Sequence, residues 1–166
     1  MRVARIFNAY GPHMQLDDGR AVPNFIAAAM EGEPLTVYGD GSATRCFQHA
    51  GDCVRGLAAL MNSDYTGPVN IGSDREVPVG DMATMITKVV AERMGQSRKT
   101  PVRFLPRRQD DPRQRKPDIT LAKTVLGWSP QVSLEEGIAS TVDWFLELRK
   151  NRPVEAPASQ EYRAQL

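Results

Sequence analysis

Apolar residues recur along the chain in two rhythms, helical spacing and short continuous runs, and the switches between them divide it into elements. The opening run Val3, Ala4, Ile6 and Phe7 is punctuated by Gly11-Pro12, which predicts a buried strand breaking into a loop. After the polar stretch Gln15 to Arg20, Val22, Phe25, Ile26, Ala29 and Met30 fall on one helical face, and Gly32 ends that helix. Leu35 to Tyr38 is rich in strand formers, Gly39-Asp40-Gly41 is a turn, and Thr44 to Phe47 is a second extended piece, together a strand, turn and strand unit. Asp52 is placed to N-cap a helix carrying Val54, Leu57, Ala58 and Met61, which stops near Asn62-Ser63-Asp64. Pro68 to Ile71 is a short buried strand ending at Gly72.

A longer stripe, Met82, Met85, Ile86, Val89 and Val90, defines a helix from Val79 to Met94 closed by Gly95. Its methionines would suit an adaptable binding face, but core filling is the simpler reading. Pro101 and Pro106 bracket a strand, Val102 to Leu105, and a highly charged segment runs from Arg107 to Lys116. Asp118 is placed to cap a helix ending at Leu126-Gly127, and Ser133 with Glu136 has capping-box spacing before a final helix bearing Leu134, Ile138, Val142, Phe145 and Leu148. Residues 151–166 read as a flexible tail. Alternating strands and helices predict an α/β (or α+β) domain over residues 1–150.

Composition narrows the partners. Among 166 residues, 21 basic against 20 acidic leave a net charge of +1, so no global field steers the protein to nucleic acid or to an anionic membrane. The basic stretch Arg103 to Lys116 is interrupted by Asp110 and Asp111 and has no alternating aromatics, which argues against a nucleic-acid surface. No apolar run approaches the ~20 residues of a membrane span, and the start has no signal-peptide pattern, so a cytoplasmic protein is expected. Cys46 and Cys53 lack the spacing of a zinc or redox motif and are expected to be buried free thiols. His13 and His49 are isolated, and Asp17-Asp18 has no third ligand beside it, so no metal is expected. Ser42, Ser63 and Ser73 have no identifiable base.

Four separated segments carry groups suited to a nucleotide diphosphate: Asn8, the Arg20 loop, Arg45 after the Gly-Asp-Gly turn, and Arg107-Arg108. Arginine offers anionic oxygens a planar fork of donors that lysine lacks, and two arginines from distant segments could clamp a diphosphate. Tyr38 beside Leu35 could wall a base whose polar edge is read by backbone groups. Each also has a plain structural reading. Arg20 and Arg45 taken singly are ordinary solvated charges, Asn8 a strand-end turn residue, and Tyr38 half-buried strand packing.

Six segments in order, Arg5-Ile-Phe-Asn-Ala-Tyr-Gly-Pro12, Asp18-Gly-Arg20, Gly32-Glu-Pro-Leu-Thr-Val-Tyr-Gly-Asp-Gly-Ser42, Pro68-Val-Asn-Ile-Gly72, Gln109-Asp-Asp-Pro-Arg-Gln-Arg115 and Leu126-Gly-Trp128, resemble the UDP-glucuronate decarboxylase (UDP-xylose synthase) family. That family lies within the extended short-chain dehydrogenase/reductase superfamily, and the resemblance covers about residues 2 to 150, its C-terminal half. It implies the fold of the substrate-binding domain plus orphaned strand and helix elements of a Rossmann domain. In the family, NAD oxidises C4 of UDP-glucuronate, carbon dioxide leaves from C5, and the 4-keto pentose is reduced to UDP-xylose. By resemblance Arg20 is the catalytic arginine beside the sugar, a fixed cation near the enolate left by decarboxylation. Asn8, Arg20, Ala21, Val22, Phe25, Thr36, Val37, Tyr38, Arg45, Asn70, Arg107, Arg108 and Asp111 resemble positions holding the UDP-sugar, with Arg45 and Arg108 on the diphosphate.

The family's glycine-rich phosphate loop, acidic ribose ligand and Tyr-x-x-x-Lys pair do not occur in this sequence. The chain by itself is therefore expected to bind a UDP-sugar but no NAD, and not to complete the reaction alone. His13 stands where the family commonly has arginine, and Phe47-Gln-His-Ala-Gly-Asp52 replaces a usual Phe-x-Tyr-Val-x-Asp. The first strand and the helix at Asp52 should expose apolar surface, to be covered by self-association, a complementing Rossmann-domain chain or a rearranged domain. Two other functions compete. A repurposed cofactor-independent enzyme would turn over without nicotinamide through Arg20, and an interaction module would co-purify with a full-length relative without nucleotide affinity.

Overall fold

The computed structural model describes residues 1–16, 18–97, 100–107, 109 and 111–151. The expected tail from 152 onward, together with Asp17 and Arg108, lies outside the described residues. The fold is mixed α/β. Strand β1 (Val3–Ile6) pairs in parallel with β6 (Pro68–Ile71), and β2 (Ala9–Tyr10) pairs in parallel with β5 (Gln48–His49). Strand β3 (Leu35–Tyr38) pairs in parallel with β8 (Val102–Leu105). Strand β4 (Thr44–Cys46) lies between β7 (Glu76–Pro78), antiparallel, and β9 (Gln114–Arg115), parallel. The strand, turn and strand unit expected from 35 to 47 is thus not a hairpin: the turn at Gly39 to Gly41 carries the chain from one sheet to another.

Helices α1 (Ala21–Glu31), α3 (Val79–Met94) and α5 (Leu134–Asn151) enclose the larger core. Their apolar stripes supply Ile26 and Ala29, Met82 and Ile86, and Ile138, Val142 and Phe145, all fully buried in one cluster with Leu35 and Val37 of β3. Gly32 and Gly95 close α1 and α3 in the left-handed region, φ 74° and 64°, where a side chain would be strained. The Ser133–Glu136 box forms, with Ser133 Oγ donating to Glu136 Oε2 at 2.7 Å and Glu136 N donating back to Ser133 Oγ at 3.2 Å. Both cysteines are buried free thiols, and burial pushes the Cys46 thiol up to about 11. Among the described residues no helix is long and apolar enough to cross a membrane.

A smaller core gathers Cys53 and Leu60 of α2 (Ala50–Met61), Val69 and Ile71 of β6, and Ile119, Ala122 and Trp128 around α4 (Thr120–Leu126). Here three sequence expectations are corrected. The opening strand is not buried, because among the described residues β1 has β6 as its one strand neighbour and leaves Val3 and Ile6 exposed. Asp52 does not cap α2. His49 does, its Nδ1 accepting from Gly51 N at 3.2 Å, while Asp52 is fully buried one turn in. Asp118 sits one residue before the capping position of α4, although its Oδ1 still accepts from Thr120 N at 2.9 Å.

One set of contacts ties α2 to the segment that leads into α5, and a close approach seats β2 against α5 within the larger core. The Asp52 carboxylate, paired with Arg55, accepts from Gln131 N at 2.9 Å and Val132 N at 3.1 Å, and its backbone carbonyl accepts from Trp128 Nε1 at 3.1 Å. Tyr10 is buried beside α5, so close that a Cβ added to Gly137 would collide with its hydroxyl. Only glycine admits that approach.

Candidate functional site

The loop between β2 and α1 folds over a cleft of about 450 Å³ lined in part by Ala9, Tyr10, His13, Asp18, Arg20 and Ala50. Tyr10 forms its inner wall, edge-on to His49 at 5.9 Å between ring centroids. Burial, with Asp52 and Glu135 nearby, raises the Tyr10 phenol well above its ordinary value, so it stays protonated. His13 holds a left-handed backbone, φ 70°, and sets its ring 5.2 Å from Trp144. Non-glycine residues enter this region rarely, and such strain gathers at functional loops.

Arg20 stands at the N-terminus of α1, extended (φ −80°, ψ 155°). Its N–H and Nε donate to Asp18 Oδ1 and Oδ2 at 2.9 and 2.7 Å, its Nη2 pairs with Asp18 Oδ2, and its Nη1 donates to the Ala9 carbonyl at 3.4 Å. Asp18 was not singled out as a site residue from the sequence. The Asp-Gly-Arg order, in which a carboxylate bonds the backbone two residues on, was the available signal. Asn8, just before β2, is half-buried and gives its carbonyl to Gln48 N at 2.9 Å.

A second group gathers beside β3 and β8. Arg45 of β4 donates through Nη1 to the Thr44 carbonyl at 2.8 Å and through Nη2 to Asp111 Oδ1 at 2.5 Å. Arg107 reaches the Asp111 carbonyl and lies against Gly39. Three of the expected residues, from segments more than sixty residues apart, therefore meet at one place. On β3, Leu35 and Gly39 donate their N–H groups to Pro101 and Leu105, at 2.9 and 2.8 Å. The alternation of a strand then turns the backbone groups of Thr36 and Tyr38 away from β8, toward the other edge. Glu76 anchors this region, accepting from Thr44 Oγ1 at 2.9 Å and Gln114 Nε2 at 2.6 Å. Those bonds, with Lys116 beside them, lower its carboxyl below the ordinary value. No sequence motif marked it.

Other expected residues serve differently. The side chains of Val22, Phe25 and Val37 are buried in the larger core, so only their backbone could face a ligand, and Ala21 is half-buried at the head of α1. Asn70 of β6 donates to the Asp118 carbonyl at 2.8 Å, at a different groove lined by Asp74, Lys116 and Asp118, and its buried Oδ1 has no partner among the described residues. Arg20 and Arg45 thus belong to two separate hydrogen-bonded groups. Arg108 lies outside the described residues.

The chain is similar to several known proteins. UDP-glucuronic acid decarboxylase 1 of Danio rerio is 47% identical over 162 residues, 98% of this chain and 36% of that protein. UDP-glucuronic acid decarboxylase 4 of Arabidopsis thaliana is 49% identical over 145 residues, 87% of this chain and 31% of that protein. The chain spans about a third of the length of these relatives. Among solved structures, UDP-glucose 4-epimerase of Thermotoga maritima with UDP-glucose matches with TM-score 0.79 and 32% identity, over 89% of this chain and 46% of that one. UDP-glucuronic acid 4-epimerase of Bacillus cereus with UDP-glucuronic acid and NAD matches with TM-score 0.76 and 33% identity, over 89% and 45%. The α/β fold is the one these epimerases share. The family model described as GDP-mannose 4,6 dehydratase matches residues 1–141, and the chain belongs to that family.

Proposed function

We propose that this chain carries the UDP-sugar-binding part of a UDP-glucuronate decarboxylase-type site. The observation that carries the reading is the meeting of Arg45, Arg107 and Asp111 beside the outward-turned backbone of β3. A planar guanidinium already held in place loses little entropy when it binds a phosphate oxygen. Asp111 balances Arg45 until a diphosphate, with more charge, takes its place. Thr36 and Tyr38 then supply backbone polar groups and an aromatic face for the base, and the Arg20 cleft takes the sugar.

We place no dinucleotide at the strand-to-helix junctions of α2 and α3. α2 begins at His49-Ala50 and α3 at Pro78-Val79, neither within a glycine-rich phosphate loop. No hydride step is assigned to residues of this chain. The conversion of UDP-glucuronate to UDP-xylose belongs to an assembly in which an NAD-binding α/β half covers Val3, Ile6, Val54 and Met61, all exposed here. This chain's share is to bind the diphosphate, orient the sugar and hold Arg20 as a fixed cation beside it.

Calorimetric titration with UDP, UDP-glucuronate and NAD tests the reading. UDP is expected to bind, about tenfold more weakly in Arg45→Ala, the loss of one charge-assisted contact, and NAD is expected to give no signal. Folded parent protein that binds no uridine nucleotide would sink it.

A further inference from the structure

We propose that Asp18 is the positioning residue for Arg20, holding its guanidinium so that an anionic group on a ligand meets a preset pair of N–H donors. The proposal rests on the reading of the Arg20 cleft as the sugar pocket.

The argument begins with where Arg20 stands. It precedes the first turn of α1, an eleven-residue helix with no acidic residue in that turn and no side-chain cap at its start. Unpaired N–H groups give a helix N-terminus a partial positive charge, which favours anions and repels a guanidinium. Left alone, Arg20 would swing into solvent. Asp18 opposes this with both oxygens: Oδ1 holds the Arg20 backbone N–H, and Oδ2 holds Nε and Nη2. One carboxylate therefore fixes the main chain and the side chain of the same residue, across Gly19 in the left-handed region (φ 78°).

Exposure separates this pair from an ordinary surface ion pair, which contributes little. The Asp18 side chain is 16% exposed while that of Arg20 is 59% exposed, so the anchor is shielded and the cation is presented. The donor count gives the chemistry. A guanidinium has five N–H groups. Asp18 takes the one on Nε and one on Nη2, and the Ala9 carbonyl takes one on Nη1. Among the described residues one N–H on each Nη is left for the cleft, a pair that suits two oxygens of a carboxylate.

Two substitutions in the full chain test the assignment. Asp18→Asn keeps an oxygen for the Arg20 amide but removes the charge, and Asp18→Glu keeps the charge but displaces it by a methylene. Thermal unfolding confirms that each variant folds. The Arg20 Nε–H resonance is expected to be sharp and slow to exchange in the parent protein and averaged in both variants. Affinity for UDP-glucuronate is expected to fall about tenfold in both, with affinity for UDP and UDP-glucose unchanged. If Asp18→Glu matches the parent, charge alone suffices and the positioning role is wrong. Tighter UDP-glucuronate binding in Asp18→Asn would make Asp18 a competitor for the guanidinium and would overturn the proposal too. Parent protein that binds no nucleotide defeats the sugar-pocket reading. The resonance then decides the Asp18 assignment by itself, since an unchanged Nε–H in Asp18→Asn refutes it.

Discussion

The body built from α1, α3 and α5 and the body built from β1, β6, α2 and α4 manage their apolar residues differently. In the first, Ile26, Leu35, Met82, Ile86, Ile138, Val142 and Phe145 are wholly sealed, and Arg149 ties α5 to the end of α1 by donating to the Met30 carbonyl at 3.0 Å. In the second, Val69 and Ile71 are sealed on one side, but Ile6 is 55% exposed, Val54 64% and Met61 74%. Apolar surface left in water forgoes about 25 cal/mol per Å² of burial. Parallel sheets are normally covered on both faces, and a two-stranded one is marginal by itself. The larger core is closed around its own residues, with Phe104 and Tyr38 exposed at its β8 and β3 edge, while the smaller one leaves apolar side chains of β1 and α2 in water. The Arg45–Arg107–Asp111 group and the Arg20 loop are attached to the side of the larger core, next to β3, β8 and α1.

The largest test of this contrast is a core truncation. Phe145→Ala should cost about 3–5 kcal/mol, the range for emptying a packed aromatic site, measured as a shift in urea midpoint at constant slope. Val54→Ala on α2 should cost under about 0.5 kcal/mol, as at other surface positions. Equal costs would erase the distinction between the two bodies. Next comes their joint. Asp52→Ala leaves the N–H groups of Gln131 and Val132 without their buried acceptor, while Arg55 stays partly in water, a loss of about 1–3 kcal/mol for donors left unsatisfied. If the joint is what couples the bodies, this variant should unfold in two steps rather than one, by far-UV signal against tryptophan fluorescence.

The contrast also explains what the sequence made legible. The stripes of α1, α3 and α5 and the stops at Gly32 and Gly95 are local features, and so is the Ser133–Glu136 box, so each could be read from a few neighbouring residues. The strands β2, β5, β7 and β9 are two or three residues long and exist through partners far along the chain, which leaves no periodicity to detect. The cap of α2 failed for the same reason. Asp52 is the stronger capping residue by type, but its carboxylate is claimed by backbone some eighty residues downstream, and His49 takes the role instead. At the site, Arg45 and Asp111 could be set together through the family resemblance alone. The Asp18 contact with Arg20 was written in the turn itself. Val22, Phe25 and Val37 were named with their segments, yet their side chains belong to the core.

A smaller effect sharpens the comparison through pH. Burial pushes the His49 imidazole below its ordinary 6.5, with Arg55 adding to the shift and Asp52 opposing it. Its Nδ1 accepts from Gly51, so the folded state prefers the neutral ring. Above the unfolded value the stabilisation is complete. As pH falls from there toward the lowered folded value, the unfolded chain takes up the proton first and stability drops. Stability is therefore expected to fall as pH drops from about 7.5 to about 5.5, through the ordinary imidazole value. His49→Ser keeps a cap without a titrating group, so its urea midpoint should stay flat over that interval, and a slope equal to the parent's would assign the effect elsewhere.

The smallest expected effect is the most telling about the exposed face. Ile6→Lys and Met61→Lys place a charge where apolar side chains meet water, so each should move stability by less than about 0.5 kcal/mol. In the isolated chain, a larger loss would mean that the face is already covered by another copy, and sedimentation would then show a dimer in the parent and a monomer in the variants. With stability unchanged, the same substitutions should weaken capture of an NAD-binding half, because a buried lysine without a partner is costly at an interface. One pair of variants therefore separates a surface waiting for cover from one that has found it in itself.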